Sequence, residues 1–391
     1  MTTFDPYASL ELSAALPVCE EIRAHALDFE AAKQLPAGLV RKLNLTGLFR
    51  MPVAAIYGGS ERSAAQIVRA IEEISYADGS AGWCAMVYMS GAFLSGLLPG
   101  EWAHEIYGNG AMPLIAGSSV PTGLCQSKAG GVMVNGRWGM VSGAHNSDWL
   151  CGGGYLMDGN NPPRLATGEP RVHFMLFERT QAILHDNWDP SGLIGTGSVD
   201  FEVKDAFVPE GRWVILGETK PSVDGPLYRI SFFSLLAATI GAVPIGIARR
   251  AIDCFVELAN GKVPTWMKDT LAKNPIAQAG IGRAEALIAA GRDTLYASID
   301  ELWDCTARGD EPPLELRRRL RLAAAFATEA SAGAVDILFA AGGRSSLQRT
   351  NPLQRCFRDI HAITQHRVVS AGVFETAGKL KLRGERPMMM L

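Results

Sequence analysis

The sequence predicts a mainly α protein with a central β domain: an N-terminal helical domain over residues 1–115, a middle β domain over 116–227 and a C-terminal four-helix bundle over 228–391. Three observations carry this reading. Apolar residues recur at spacings of three and four in the first zone, the period of a helix with one buried face. Glycines and prolines multiply in the second, where short β-rich runs stand between turn residues. Long helical runs then return and continue towards the end. At 391 residues the chain exceeds the roughly 250 to 300 over which one hydrophobic core grows, so two or three domains or layers are expected.

Taken in order, "EEIRAHALDFEAAKQL" and "SAAQIVRAIEEISYADGSAGW" set charges opposite an apolar stripe and predict the first helices. In the middle zone, "GVMVNGRWGMVSG", "RVHFMLFE" and "VDFEVKDAFVP" are bounded by turn residues and read as strands. Beyond Tyr228 four helical runs are expected, at 231–260, 276–307, 313–341 and 352–382, separated by short Gly or Pro breaks. Four helices of that length suggest an antiparallel bundle.

Composition narrows the function. With 48% apolar and 20% charged residues and a formal net charge of -3, nothing points to disorder or to a polyanion-binding surface, and nucleic acid is not an expected partner. The seven cysteines are scattered, odd in number and free of any CxxC pair, which fits a reduced cytoplasm. The N-terminus has neither a basic n-region nor an apolar h-region. Two uncharged stretches, 79–100 and 231–248, reach the ~18 residues of a membrane span. Gly, Ser, Thr or Pro dilute both, and buried helices of a large protein read the same way, so no membrane partner is expected. No GxGxxG after a strand, GxxxxGK[ST] loop or GxSxG elbow occurs, which disfavours a Rossmann dehydrogenase, a P-loop NTPase and a serine hydrolase.

Near the C-terminus, "NPLQRCFRDIHAITQHRVVS" concentrates two histidines, three arginines and an aspartate. On a helix Asp359 and His366, seven apart, share a stripe, whereas His361 and His366 diverge by about 140°. The histidines cannot chelate as a pair, no cysteine or carboxylate cluster completes a site, and no metal is expected. Read from its residues alone, a single helical histidine is a hydrogen-bonded core or surface group. Likewise Gly195 to Ser198 read as a β-turn whose hydroxyls cap the backbone, and "FAAGGRSS" as a helix C-terminus with αL glycines.

Four blocks together say more: "MPVAAIYGGSERS", "NGRWGMVSGAHNSDWL", "GLIGTGSVDFEVKDAFVPE" and "FAAGGRSSLQRTNPLQRCFRDIHAITQH". In this order they resemble the acyl-CoA dehydrogenase fold family and, within it, the oxygenase components of two-component (group D) flavin-dependent monooxygenases. In the first block, Gly58 and Gly59 match a tight bend of the family. The resemblance implies a reduced flavin, FADH2 or FMNH2, delivered by diffusion from a separate NAD(P)H-dependent flavin reductase, with dioxygen as co-substrate. It implies a C4a-hydroperoxyflavin that inserts one oxygen atom into a small aromatic or heteroaromatic, phenol- or indole-like substrate. A homotetramer in the cytoplasm is implied as well. An N-oxygenase of an amine or amino sugar, an acyl-CoA dehydrogenase, or a non-catalytic binding relative are the alternatives on the same fold.

The resemblance also places residues. Ser142 falls where the family has a hydroxyl near flavin N5, Ser119 on a loop at the flavin ring edge, and Gly342 and Gly343 where another subunit's backbone meets the phosphate-bearing chain. Gln278 sits where the fold contacts cofactor across a subunit boundary. Thr196 and Gly197, with Trp83 and Met86, fall in the substrate pocket. In the dehydrogenases a carboxylate base occupies the late helical segment; here His366 stands near that place, where an imidazole titrating near neutral pH suits acid/base work on oxygen or substrate. Several relatives carry a further histidine on the helix that here reads "GWCAMVYMSGAF". This chain has none between His25 and His104, which implies a more apolar pocket.

Overall fold

The computed structural model describes residues 5–157, 162–165 and 168–384. Six helices come first: α1 (Leu10–Ala24), α2 (Ala26–Ala32), α3 (Ala37–Leu45), α4 (Ala64–Ala77), α5 (Gly79–Ala92) and α6 (Gly100–Tyr107). Side-chain caps fix the starts of α1, α4 and α5. Ser63 accepts from the Gln66 amide while the Gln66 side chain returns to the Ser63 N–H, and Asp78 accepts from the Ala81 N–H. Caps of this kind stabilise a helix by about 1 kcal/mol each. Asp78 therefore ends α4 and starts α5, and holds the corner between them. Before α4 the chain bends at Gly58, with φ +79°, and at Gly59, where a Cβ would lie 1.9 Å from the Val53 carbonyl oxygen; only glycine fits such a bend.

Seven strands follow: β1 (Ile115–Lys128), β2 (Gly131–Val141), β3 (Trp149–Leu156), β4 (His173–Glu178), β5 (Ala182–His185), β6 (Val199–Pro209) and β7 (Trp213–Ile215). They form one mixed sheet in the order β5-β6-β2-β1-β3-β4-β7. The β1–β3 pair is parallel and the other neighbours are antiparallel. Fully buried Trp138 anchors the sheet's core, stacked on Phe201 at 4.7 Å, with its Nε1 donating to the Gly153 carbonyl at 2.8 Å. Two irregularities of register matter for the site: β1 slips against β3 between Ser118 and Pro121, and β2 against β6 between Trp138 and Val141. Bulges of this type turn side chains away from the pleat, and here they flank Ser119 and Ser142.

The last third is helical: α7 (Phe232–Gly261), α8 (Pro275–Ala307), α9 (Leu314–Gly342), α10 (Pro352–Thr364) and α11 (Gly372–Arg383). α8 and α10 begin with the same device, an asparagine cap (Asn274, Asn351) followed by proline at the first helical position. α9 packs against α7, α8 and α10. Small residues let these helices approach: a Cβ on Gly241 would lie 3.2 Å from Ala324 Cα, and one on Gly291 3.0 Å from Ala327 Cα. α7 is long and apolar enough to cross a membrane, yet 83% of its apolar window is buried inside the protein. The other uncharged stretch is α5 followed by a short 3-10 turn at Phe93–Gly96, not one continuous span.

One expectation fails. The run 352–382 is two helices, not one, and His366 lies in the turn between them. Neither glycine nor proline marks the break. α10 closes on its own backbone: His366 N–H donates to the Ile363 carbonyl at 2.9 Å, and the His366 carbonyl accepts from Val369 and Ser370. Val368 and Val369, 2% and 3% exposed, then bury their β-branched side chains, which pulls the turn inward. The helical stripe through Asp359 therefore does not place His366.

Candidate active site

Half-buried Trp83 and three buried hydroxyls, drawn from three segments of the chain, form a line. Trp83 Nε1 on α5 donates to Ser142 Oγ, just past β2, at 2.9 Å. Ser142 Oγ lies 2.6 Å from Ser198 Oγ, which lies 2.6 Å from Thr196 Oγ1, and Thr196 Oγ1 donates to the Leu193 carbonyl at 2.7 Å. An indole N–H only donates and a carbonyl only accepts. Fixed at both ends, the line has one direction: each hydroxyl proton points away from Trp83 and towards Leu193. Ser142 therefore spends its proton on Ser198 and must rotate to donate elsewhere.

The far end of the line is held in an unusual backbone. Leu193 has φ +53° and Gly197 φ +55°, left-handed values that a leucine rarely adopts. Asp359 on α10 secures the first of them, with Oδ1 accepting from the Leu193 N–H at 2.6 Å. A Cβ at Gly79 would lie 2.9 Å from Asp359 Oδ2, so a side chain at the start of α5 would displace the Asp359 carboxyl. Asp359 and Asp78 are both buried, near Arg355, whose Nε is 3.5 Å from Asp78. Burial first, and the Asp78 charge second, push the Asp359 carboxyl up to about 7.

At the Trp83 end stands His366, its ring edge-to-face with the indole at 5.5 Å and 70°. Its Nδ1 accepts from the Val368 N–H at 3.3 Å, which leaves the proton of a neutral imidazole on Nε2. Burial, followed by the nearby Arg321 cation, lowers its pKa to about 4. The expectation of an imidazole titrating near neutral pH is thereby corrected: His366 is neutral there, and its Nε2–H has no hydrogen-bond partner among the described residues. His361 goes elsewhere, pairing with Asp336 at 2.8 Å and standing edge-on to Phe357. Among the described residues, no group of three or more His, Cys, Asp or Glu side chains is placed to hold a metal ion.

The matches to known proteins fall on this architecture. Residues 12–98 match the model described as acyl-CoA dehydrogenase, N-terminal domain, and residues 238–371 that of the C-terminal domain. Indole-3-acetate monooxygenase of Pseudomonas putida is 32% identical over 368 residues, covering 94% of this chain and 92% of its own. The flavin-dependent monooxygenase oxygenase subunit HsaA of Rhodococcus jostii is 30% identical over 365 residues, covering 91% and 92%. The crystal structure of 3-HSA hydroxylase from a Rhodococcus species superposes with a TM-score of 0.89 at 25% identity, over 98% of this chain and 100% of that one. The chain belongs to the acyl-CoA dehydrogenase family, among its flavin-dependent monooxygenase oxygenase components.

In this oxygenase component the residues expected at the site are only partly gathered. Trp83, Ser142, Thr196 and His366 come together as described, with Gly197 next to Thr196 and buried Met86 one turn beyond Trp83 on α5. Ser119 lies half-buried in the β1 irregularity, its carbonyl oxygen 2.5 Å from where a Cβ of Gly153 would sit. Gln278 is apart from them, exposed on α8 and donating to the Ala272 carbonyl at 2.9 Å. Gly342 and Gly343 end α9 beside a separate cleft of about 660 Å³ lined by Lys262, Arg344, Ser345 and Asn351 among others. Gly343 has φ +57°, and Lys262 Nζ donates to the Gly342 carbonyl at 2.6 Å.

Both places fit the parts of a flavin. The neutral hydroxyl line beside an indole suits an uncharged heteroaromatic ring. Two cations, Lys262 and Arg344, with the hydroxyl of Ser345, suit a phosphate-bearing chain, although Glu257 also lines the cleft. From the sequence Ser198 reads only as a turn hydroxyl and Asp359 only as sharing a helical stripe with His366, and Arg321 is not singled out. Arg321 had a signal: it stands beside Leu320, Ala324 and Ala325 on the buried face of α9, where a charge breaks the apolar pattern.

Proposed function

We propose that the chain binds a reduced flavin delivered by a separate NAD(P)H-dependent reductase and uses dioxygen to oxygenate a small aromatic or heteroaromatic compound. The observation that carries this reading is the union of Ser142, Trp83 and His366 in one site, where a dehydrogenase would need a carboxylate base. The bound flavin supplies the two electrons that activate dioxygen. Everything else falls to side chains of this chain. Ser142, turned from Ser198, offers its hydroxyl to the ring. Trp83 keeps Ser142 oriented and walls the site against water, which protects the activated oxygen from wasteful release as hydrogen peroxide. His366 Nε2–H donates to the oxygen being transferred or to the substrate oxygen, and its neutral state avoids placing a second cation near Arg321.

The relative named for indole-3-acetate supports an aromatic substrate. We place the ring of the flavin along Ser119, Ser142 and Gly197, with the substrate against Trp83 and Met86. Gly342, Gly343 and Gln278 serve a neighbouring subunit's flavin in a cytoplasmic homotetramer. The test is anaerobic titration: the purified protein should be nearly colourless and bind reduced flavin more tightly than oxidised. Tight retention of oxidised flavin that bleaches with an acyl-CoA would establish a dehydrogenase instead.

A further inference from the structure

Arg321 stands in the second turn of α9, only 4% exposed, and its Nε and Nη1 have no hydrogen-bond partner among the described residues. Its neighbours in sequence differ: Arg318 pairs with Glu315 and Arg319 with Glu301. Other deeply placed arginines are paired as well, Arg358 with Glu30 and Arg355 with Asp78. A buried guanidinium without a counter-charge is costly, and proteins keep such groups where something pairs with them. The cost is visible in Arg321 itself, whose pKa burial lowers to about 10.

The position of this cation is specific. Its charge reaches His366 in the turn after α10, and His366 in turn packs on Trp83. A guanidinium presents a planar fork of N–H donors that matches a carboxylate in two parallel hydrogen bonds. We infer that Arg321 is a substrate-binding residue that receives the carboxylate of an anionic aromatic acid, leaving its ring beside Trp83 and His366. The inference rests on the monooxygenase reading above and deepens it: the substrate is an aryl or heteroaryl carboxylate, not a neutral phenol or indole.

The test compares indole-3-acetate and phenylacetate with their uncharged amides, by calorimetry on the whole protein, flavin-free and with reduced flavin under anaerobic conditions. Wild type should bind the acids on the order of 10²-fold more tightly than the amides, and Arg321→Met should bind acid and amide alike. Thermal melting adds a readout that a structural arginine would move the other way. Because Arg321→Met removes an unpaired buried charge, the flavin-free variant should melt no lower than wild type, while only wild type is stabilised by the acids. Equal binding of acid and amide by wild type, a preference that survives in Arg321→Met, or a variant that melts well below wild type would each overturn the inference. In the last case the guanidinium has a structural partner, such as a carboxylate of a second copy. If neutral aromatics are oxygenated while acids gain nothing, this inference fails and the monooxygenase reading stands. If reduced flavin and dioxygen oxygenate neither class, that reading fails on its own account.

Discussion

Trp83 and Ser142 are joined by a 2.9 Å hydrogen bond from indole Nε1 to Oγ, the first link of a hydroxyl line whose proton direction is set at its far end, where Thr196 donates to the Leu193 carbonyl. Because Ser142 accepts from Trp83 and gives its own proton to Ser198, the hydroxyl expected to serve the flavin is engaged in the ligand-free protein.

A first expectation follows from that competition. Ser142→Ala should weaken reduced-flavin binding several-fold, the effect of one hydrogen bond at about 1 kcal/mol. Ser198→Ala removes the competing acceptor, so it should leave the affinity unchanged or improve it. Anaerobic titration of both variants decides. A greater loss in Ser198→Ala than in Ser142→Ala would mean that the line, not the Ser142 hydroxyl, holds the flavin.

For His366 the pH dependence is specific. Its pKa in the folded chain is about 4, below the ordinary 6.5, so between these values the unfolded chain binds the extra proton. Stability from this group is present above about 6.5 and is lost as pH falls towards 4. Activity controlled by the imidazole should therefore show no step near pH 6.5. His366→Asn should keep the fold and flavin binding but lose ~10² to 10⁴-fold in product formation, releasing mostly hydrogen peroxide. His361→Asn, whose ring faces Asp336, should stay near wild type. Unchanged coupling in the first variant with a collapse in the second would assign the role to the wrong histidine.

The sequence carried the zones of the fold because their signals are local. Period-two runs such as "VDFEVKDAFVP" became β6, and the Asn–Pro pairs at 274–275 and 351–352 start helices as written. The site was less legible, since its members are far apart: Trp83, Ser142, Ser198 and Asp359 meet only through tertiary packing. Ser142 and His366 were reached through family resemblance, not through spacing. The break after Thr364 had no glycine or proline to announce it; it arises because Val368 and Val369 find burial only if the helix stops.

Asp359 gives a third expectation, with the opposite sign to His366. Its carboxyl is raised from 3.8 to about 7, so the folded chain holds the extra proton between those values. Its contribution is fully present below about 4 and is lost as pH rises through about 7. Asp359→Asn keeps an acceptor for the Leu193 N–H without the charge. It should lie closest to wild type near pH 4 and exceed it at pH 8.5 by about 1 kcal/mol or more, the worth of one pKa unit. Denaturant melts at the two pH values measure this, and equal differences at both would remove the carboxyl from the account.

Assembly is the fourth. Trp266 is 98% exposed, with Val263, Met267 and Ile276 also exposed around the α7–α8 connection, more apolar surface than a monomer usually leaves in one region. Light scattering at micromolar concentration should give a homotetramer. A monomer would also leave Gly342, Gly343 and Gln278 without the neighbouring flavin assigned to them.

The central claim is oxygen transfer from dioxygen to an aromatic compound at the expense of reduced flavin. It is tested most directly by mixing the protein, chemically reduced flavin and isotopically labelled dioxygen with a panel of aromatic acids, phenols and indoles, and weighing the products. The account expects a product that gains one labelled oxygen atom, with no nicotinamide needed once the flavin is reduced. Product without the label, or flavin reduction by an acyl-CoA in the absence of oxygen, would contradict it.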